Sequence, residues 1–552
     1  MASLYVASFE LYLFEVESMH WADVAAKALS HKGDKHIVST GITPSGEFHI
    51  GHLREILTGD MIARAARKAG LDVEFVFIVD TADPLRKVYD FLGPEFEQFI
   101  GHQLGSIPAP DKNGNPDWAR FEQEGWTYGD HFLKPFLQAL EQIGVRPRII
   151  DNLESYKAGR FDQLTKIACD RADEIREAIE RISSRELADD WFPWSPLDSK
   201  GSLDGVKVTG YDYPHVHWLD SHGVEGSSDI SKGEGKLPWR IDWPAKWGWI
   251  GVTCEPFGKD HGAAGGSYAT GREIVQILGH EAPHPLTYEW ISLKGQGAMS
   301  SSAGNTIGPI EALELVPPEI LRLLVAKSKP NKAIEFDTGM SLVTLADEYE
   351  RLAARDFESE LADEDLTRRQ RVQIEDAAGA MRMAVIEEGT IAEATAVTFR
   401  HLALLAQTKS TDQDVWASLR KAGAINEPNQ SLVDRLNRMR AWIASKHFPE
   451  EMKISILNLP NDAALQLLDQ DDRTVVAALA RSLAACSWDA ESIGSSIPQA
   501  AKDLGLTPKS GYRAAYAALM GKERGPRLAP ILAEMNQHEI VSLLNQCAKS
   551  LE

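Results

Sequence analysis

Two histidines three residues apart, His49 and His52, stand in the segment STGITPSGEFHIGH, Ser39 to His52. At this spacing both imidazoles fall on nearly the same face of a helix that begins with them. Glycines before and between them let a ligand approach the backbone closely. A helix N-terminus with free amides is a phosphate site. Imidazoles placed there can hydrogen-bond the phosphates of a nucleotide, including a pentavalent α-phosphate. The pair taken alone equally suits helix-capping or metal-binding histidines.

A second segment, KGQGAMSSSAGN from Lys294 to Asn305, follows a strand-like run ending at Leu293. Its serines and the amides of a glycine-rich loop can bind phosphate oxygens. Between the two lies Pro238 to His261, dense in tryptophan and charge. Some of these indoles belong to the core. An ammonium group, however, is best held by an aromatic face plus a carboxylate, and a cation over Trp or Tyr gains about 0.5–2 kcal/mol. Asp242, Glu255 and Glu289 are unranked candidates for that carboxylate, each equally suited to a structural role. His215, His217 and His222 have metal-compatible spacing but no thiolate beside them, so they are expected on a loop, with no structural metal and zinc unsupported.

The elements that must position these residues begin at His36. His36 to Thr40 reads as a buried strand, Ile50 to Lys68 as an amphipathic helix closed by Gly70, and Val73 to Val79 as a second strand. That is a βαβ unit with a parallel pair and a right-handed crossover. Later strand candidates are Arg148 to Asp151, Trp249 to Thr253 and Leu286 to Leu293, with a helix at Ala269 to Leu278. The glycine-, proline- and aspartate-rich stretches Gly105 to Trp118 and Trp191 to Lys236 flank helical stretches such as Arg160 to Ile182, and read as an insertion into the α/β domain. From about Pro317 the helical period takes over, and no fixed repeat is present.

Composition sets the frame. The chain has 552 residues, 43% apolar and 25% charged, which suits a folded protein of several units. Its formal net charge of −23 argues against non-specific grip on nucleic acid but leaves room for local basic patches. Four widely spaced cysteines fit a reducing compartment without a thiolate zinc module. No apolar run reaches the roughly 18 residues of a membrane span. Residues 1–18 carry Glu10, Glu15 and Glu17 and no basic start, unlike a signal peptide. They are expected to be a dispensable extension, and the protein a cytoplasmic monomer without membrane partners.

Pro44, Ser45, Gly46, Glu47, Phe48, His49, Ile50, Gly51 and His52 resemble the HIGH motif of class I aminoacyl-tRNA synthetases. Ala298, Met299, Ser300, Ser301 and Ser302 resemble that family's second motif, KMSKS, in the family's place after the last strand of the nucleotide fold. Within the class the chain most resembles the class I lysyl-tRNA synthetases from Met19 onward, including YAALMGKERGPR, Tyr516 to Arg527. The resemblance implies a parallel-sheet Rossmann catalytic domain, its halves at 19–100 and 237–295, around a connective insertion at 101–236. A second-motif and stem-contact region at 296–345 and a helical-cage anticodon domain at 346–552 follow. It implies lysine–tRNA ligation with ATP and Mg²⁺, on L-lysine and tRNA(Lys). Gly41, Thr43, Trp239, His261 and Tyr288 align with lysine-binding positions, and Gly258 and Asp260 with the ribose-holding element. Arg435, Arg438, Arg440 and Trp442 combine phosphate-contacting charge with a stacking surface suited to unpaired bases, and the resemblance supplies the anticodon role.

One departure matters. Both lysines of the second motif are missing, with Ala298 and Ser301 in their places. Losing one well-placed transition-state donor costs about 3 kcal/mol. Lys294 is the candidate for the absent charge, with Ser300 to Ser302 on the phosphates. The alternatives are a class I synthetase for another amino acid such as glutamate, a nucleotidylyltransferase, or a non-catalytic tRNA-binding paralogue. A glutamate enzyme would want basic residues in the pocket, and a nucleotidylyltransferase would be far shorter.

Overall fold

The computed structural model describes residues 20–293, 297–298, 307–337, 339–390 and 393–550. The N-terminal extension, Lys294 and Met299 to Ser302 lie outside the described residues, and Ala298 is described only as backbone of the short strand Gly297–Ala298. The chain divides into two compact units, the first within Met1–Leu313, Pro318–Phe336 and Arg355–Ala392.

The first unit is built on five parallel strands: β1 (Lys35–Ile42), β2 (Asp72–Val79), β3 (Arg148–Asp151), β4 (Cys254–Gly258) and β5 (His284–Tyr288). Their order is β5-β4-β1-β2-β3. The chain winds outward from β1 through β2 to β3, then returns to the other side of β1. The carboxyl ends of β1 and β4 therefore flank a topological switch point, where open α/β sheets place their ligands. Between β1 and β2 runs α1 (Leu53–Lys68), buried on most of its surface. It lies against β1 and β2 on one side and against the helices Trp21–Ser30 and Pro318–Ala326 on the other. Gly59 permits that approach, since a Cβ there would come 2.7 Å from the Phe75 ring and 2.8 Å from the Thr40 methyl. Gly70, at φ +86°, ends the helix and turns the chain into β2.

Two expected strands differ. Trp249 and Ile250 close a helix, α2 (Trp239–Ile250), and the strand starts only at Cys254. This helix buries side chains around most of its circumference, Ile241, Asp242, Trp243, Lys246 and Trp247 among them. A helix with no solvent face has no 3.6-residue stripe to betray it. The single strand expected at Leu286 to Leu293 is two, because Glu289 turns away and donates its amide to the Pro330 carbonyl at 2.8 Å. Ile291–Leu293 then pairs with Gly297–Ala298 and Ile334–Phe336 in a separate small sheet. The helix α3 (Ser267–Ile277) lies between β4 and β5 at nearly the expected bounds.

The insertion after β3 contains the expected helices, Asp162–Asp170 and Ala172–Ser183, and one unexpected element. Lys207–Asp212, His215–Leu219 and Glu225–Asp229 form an antiparallel meander. Only its middle strand alternates cleanly, with Val216 and Trp218 buried and His215 and His217 outward. The edge strands are too polar to announce themselves.

The second unit is helical from Met340 onward, without the helix Arg368–Ala384. That helix, expected with the C-terminal domain, belongs to the first unit, where Arg322 donates to the Met383 carbonyl at 2.8 Å. The period of an amphipathic helix does not tell which neighbour covers it. Most helices of the second unit open on Thr, Asn or Asp whose side chain accepts a backbone N–H, as at Thr398, Thr411, Asn429, Asp469, Asp489 and Asn536. Val475, Leu479, Leu483, Ile497, Ala518 and Leu544 meet in one core.

Candidate active site

The histidine segment leaves the end of β1 as a turn: Ser45 donates its amide to the Thr43 carbonyl and accepts the Tyr128 hydroxyl at its own carbonyl, 2.9 and 2.8 Å. Pro44 is buried, Gly46 borders the Phe91 ring and Glu47 is exposed. Phe48 stacks on Phe136 with ring centroids 4.3 Å apart. Ile50 to His52 then form a 3₁₀ turn before α1. His49 Nδ1 accepts the Gly51 amide at 3.1 Å, and His52 Nδ1 accepts the His49 amide at 3.1 Å. The Ile50 amide goes to the Ile307 carbonyl and the His52 amide to the His49 carbonyl. The amides expected to greet a phosphate at this turn are thus already used.

What remains is the other edge of each ring. Burial lowers the pKa of His49 to about 4 and of His52 to about 3. Both are neutral near pH 7, and the shorter Nδ1 contacts, to the Gly51 and His49 amides at 3.1 Å, favour the tautomer with the proton on Nε2 over a His52 Nδ1–H donated to the His49 carbonyl at 3.3 Å. The rings lie 4.0 Å apart between centroids. The pair therefore offers two adjacent neutral N–H donors, and no net charge.

The amino-acid candidates cluster at the carboxyl ends of the strands. Gly41 is the last but one residue of β1, Tyr288 closes β5, and Trp239 opens α2. The Trp239 ring lies 5.5 Å from His261 and 5.7 Å from Trp243, a continuous aromatic wall. His261 Nδ1 faces Ser267 Oγ at 3.2 Å. Gly258 ends β4, and a Cβ there would stand 2.6 Å from an Asp260 carboxylate oxygen, so glycine keeps Asp260 next to the strand end. Asp260 is exposed and open to a ligand hydroxyl.

A residue with no part in the sequence reading ties this group together. Glu55, in the first turn of α1, accepts the Gly41 amide at 2.8 Å and the Tyr288 hydroxyl at 2.9 Å. Burial pushes its pKa up to about 7. An acid in a first helical turn ordinarily answers the helix dipole, which conceals any second role.

Most buried charge elsewhere in the unit is matched, Arg54 excepted, which is buried and donates only to the Lys329 and Pro330 carbonyls at 3.2 Å each. Asp80 and Asp242 both hold Lys246, the latter at 2.6 Å. Asp83 holds Lys236 and also accepts the Thr43 hydroxyl at 2.8 Å. Asp60 holds Arg64 and Arg322 at 2.9 and 2.7 Å. Glu55 and Glu255 have no cation within ion-pair distance among the described residues, and neither does Asp220 in the insertion, which accepts the His222 and Val224 amides at 2.8 Å each. Glu255 takes the indole N–H groups of Trp243 and Trp247, one on each oxygen, and burial raises its pKa to about 8. Of the three carboxylates proposed for an ammonium, Asp242 is consumed by Lys246 and Tyr156, Glu255 by the indoles, and Glu289 by Lys259 at 2.7 Å. Glu55 is half-buried, has no cation of its own among the described residues, and is the carboxylate tied to both Gly41 and Tyr288.

The basic cluster of the helix Gln430–Ala444 is corrected in part. Trp442 is fully buried against Phe399 and Phe448, and Arg435 is buried on Glu350, on the Thr395 hydroxyl and over the Tyr349 ring. Neither can meet a base, because the helix turns both inward. Arg438 and Arg440 stay half-exposed, paired with Asp434 and Asp412 at 2.7 Å each. Trp442→Ala is expected to cost about 3–5 kcal/mol of stability, read by denaturant unfolding. Unchanged stability with weakened RNA binding would contradict the core placement. His215 and His217 lie outward on the meander and His222 in its turn. Among the described residues no group of three His, Cys, Asp or Glu is placed to hold a metal.

Comparison with known proteins places these features in a lineage. A family model described as tRNA synthetases class I (K) matches residues 19–376, and one described as an anticodon binding domain matches residues 441–547. The chain is 36% identical over 521 residues to a lysine–tRNA ligase of Thermoplasma volcanium, covering 94% of this chain and 97% of that one. It is 35% identical over 526 residues to a lysine–tRNA ligase of Picrophilus torridus, covering 95% and 98%. Lysine–tRNA ligase 1 of Methanosarcina acetivorans is 45% identical over 338 residues, 60% of this chain and 61% of that one.

Proposed function

The chain belongs to the class I lysyl-tRNA synthetases, and from that premise we propose which residues carry each part of its work. The reaction is ATP-dependent activation of L-lysine to lysyl-adenylate, followed by transfer of the lysyl group to the 3′ end of tRNA. In the first step the lysine carboxylate attacks the α-phosphate, and pyrophosphate leaves. In the second a terminal ribose hydroxyl attacks the activated carbonyl. The protein's part is alignment and charge stabilisation.

His49 and His52 present their Nε2–H groups to the phosphates and to the α-phosphate as it becomes pentavalent. Asp260, kept beside the strand by Gly258, takes the ribose hydroxyls. Magnesium bound with ATP would supply positive charge to its phosphates. Lys294 and Ser300 to Ser302 are proposed for the leaving pyrophosphate.

Lysine lies with its reacting end toward the mouth of the crevice and its ε-ammonium at the Glu55–Tyr288 end. The order follows from access, since carboxylate and α-phosphate must meet where tRNA can enter, whereas Tyr288 is 6% exposed. Trp239 and His261 flank the methylene stem, and Thr43, held by Asp83, stands near the α-substituents. The observation that carries this reading is a carboxyl tied to Gly41 and Tyr288 that among the described residues has no cation of its own, while Asp60, Asp80, Asp83 and Asp242 have theirs. A glutamate-activating pocket would need a free cation, whereas the buried lysines Lys236 and Lys246 are spent on aspartates and buried Arg54 is turned to the Lys329 and Pro330 carbonyls.

The test is pyrophosphate exchange with lysine, ornithine, norleucine and glutamate, with and without tRNA. Lysine should lead. Ornithine, one methylene shorter, should lose about 1–3 kcal/mol, and norleucine, which leaves Glu55 unpaired, should fall far lower. Exchange driven by glutamate, or by norleucine as well as by lysine, would overturn the reading.

A further inference from the structure

Glu255, the second residue of β4, is buried and among the described residues has no cation. Its two oxygens each accept an indole N–H, one from Trp243 at 2.9 Å and the other from Trp247. A buried carboxyl without a cation is costly, and apolar residues could fill the same space without that cost. An amide would not serve in its place. Glutamine has a single oxygen to accept with, and its N–H groups would face the second indole N–H. What the position requires is two acceptors side by side, which fix two rings at once.

The rings so fixed stand behind the aromatic wall. Trp239, Trp243 and Trp247 recur every four residues and share one face of α2. Gly271 of α3 lets Trp247 seat against it, since a Cβ there would come 2.8 Å from the ring. Phe257, two residues beyond Glu255 and on the same face of β4, meets Trp243 edge-on at 5.6 Å. Trp243 in turn stacks on Trp239, the rings 17° from parallel, and lies 5.6 Å from His261. Trp239 and His261 are half-buried and line one cavity. The orientation of both wall residues therefore runs through Trp243 to Glu255.

We propose that Glu255 is a positioning residue for substrate length: by holding Trp243 it fixes the plane of the wall along which the methylene stem lies. The proposal rests on the placement of lysine given above, and it divides selectivity between two acids. Glu55 reads the charge at the end of the side chain. Glu255 sets, through the wall, how long a stem fits.

The experiment measures pyrophosphate exchange with lysine, ornithine and norleucine, in the presence of tRNA, for wild type, Glu255→Gln and Trp243→Phe. Trp243→Phe breaks the same hydrogen bond from the other side and keeps the Trp247 bond, so it decides the matter should the first variant not fold. Each variant should raise the KM for lysine about tenfold, the effect of one lost buried hydrogen bond. The KM for ATP should stay within a few-fold of wild type. Ornithine, too short to fill the slot, should lose little, so the lysine-to-ornithine ratio of kcat/KM should shrink by about the same tenfold factor. Norleucine, whose stem matches that of lysine, should fall in parallel and leave its ratio unchanged. A shrinking lysine-to-norleucine ratio would overturn the proposal, because Glu255 would then act as a second anion. So would equal rises in the lysine and ATP parameters with both ratios unchanged, which would make Glu255 a strut between β4 and α2. Wild-type exchange that does not favour lysine over ornithine and norleucine would instead strike at the lysine site itself.

Discussion

Glu55→Gln should raise the KM for lysine by two to three orders of magnitude and leave the KM for ATP within a few-fold of wild type. Removing one partner of a buried charge pair costs about 3–5 kcal/mol, because the ammonium keeps its desolvation cost and loses its anion. Glutamine retains an oxygen to accept the Gly41 amide or the Tyr288 hydroxyl, so the local fold should survive. Discrimination against norleucine should shrink, since a neutral amide no longer demands a cation. Tyr288→Phe removes one donor to Glu55 and should act in the same direction by a smaller factor. Equal changes in the lysine and ATP parameters would show that Glu55 shapes the crevice as a whole and does not read the side chain.

The histidines call for a substitution that separates capping from catalysis. Each Nδ1 holds a backbone amide, so alanine would remove a cap as well as a donor and cost about 1 kcal/mol of stability. Asparagine keeps an acceptor near the Nδ1 position and lacks the Nε2–H. His49→Asn and His52→Asn should therefore keep the wild-type melting temperature and lower adenylate formation by about two decades each. Near-normal exchange in both would remove the histidines from the phosphate site. The pKa values of about 4 and about 3 add a second expectation. Neither ring gains a proton between pH 5 and 8, so activity should show no histidine limb there.

The parts of this account legible in sequence are those with a local signature. The first βαβ unit shows in its alternation of apolar runs and a glycine-punctuated helix, and the histidine turn shows in its residue types. The helix Trp239–Ile250 was hidden because burial on nearly every face erases periodicity. Glu55 was hidden because its partners, Gly41 and Tyr288, come from opposite ends of the first unit's sequence and meet only when β1 and β5 enter one sheet. Trp442 misled for the complementary reason. An arginine-flanked tryptophan reads as a stacking surface until neighbouring helices close over it. The use of the turn amides by imidazole Nδ1 atoms is a matter of ring orientation, which no residue spacing records.

The claim that Glu55 is the anion of the lysine site has a direct measurement in proton linkage. With a pKa of about 7, Glu55 carries a proton in most free molecules at pH 6. Binding an ammonium favours the carboxylate, so the proton must leave, and lysine affinity should fall about tenfold per pH unit below 7. Calorimetry of lysine binding at pH 6, in two buffers of different ionisation enthalpy, should show release of about 0.9 proton by wild type. Glu55→Gln should release essentially none. Release by the variant equal to that of wild type, or pH-independent lysine affinity between pH 5.5 and 7 in wild type, would contradict the assignment.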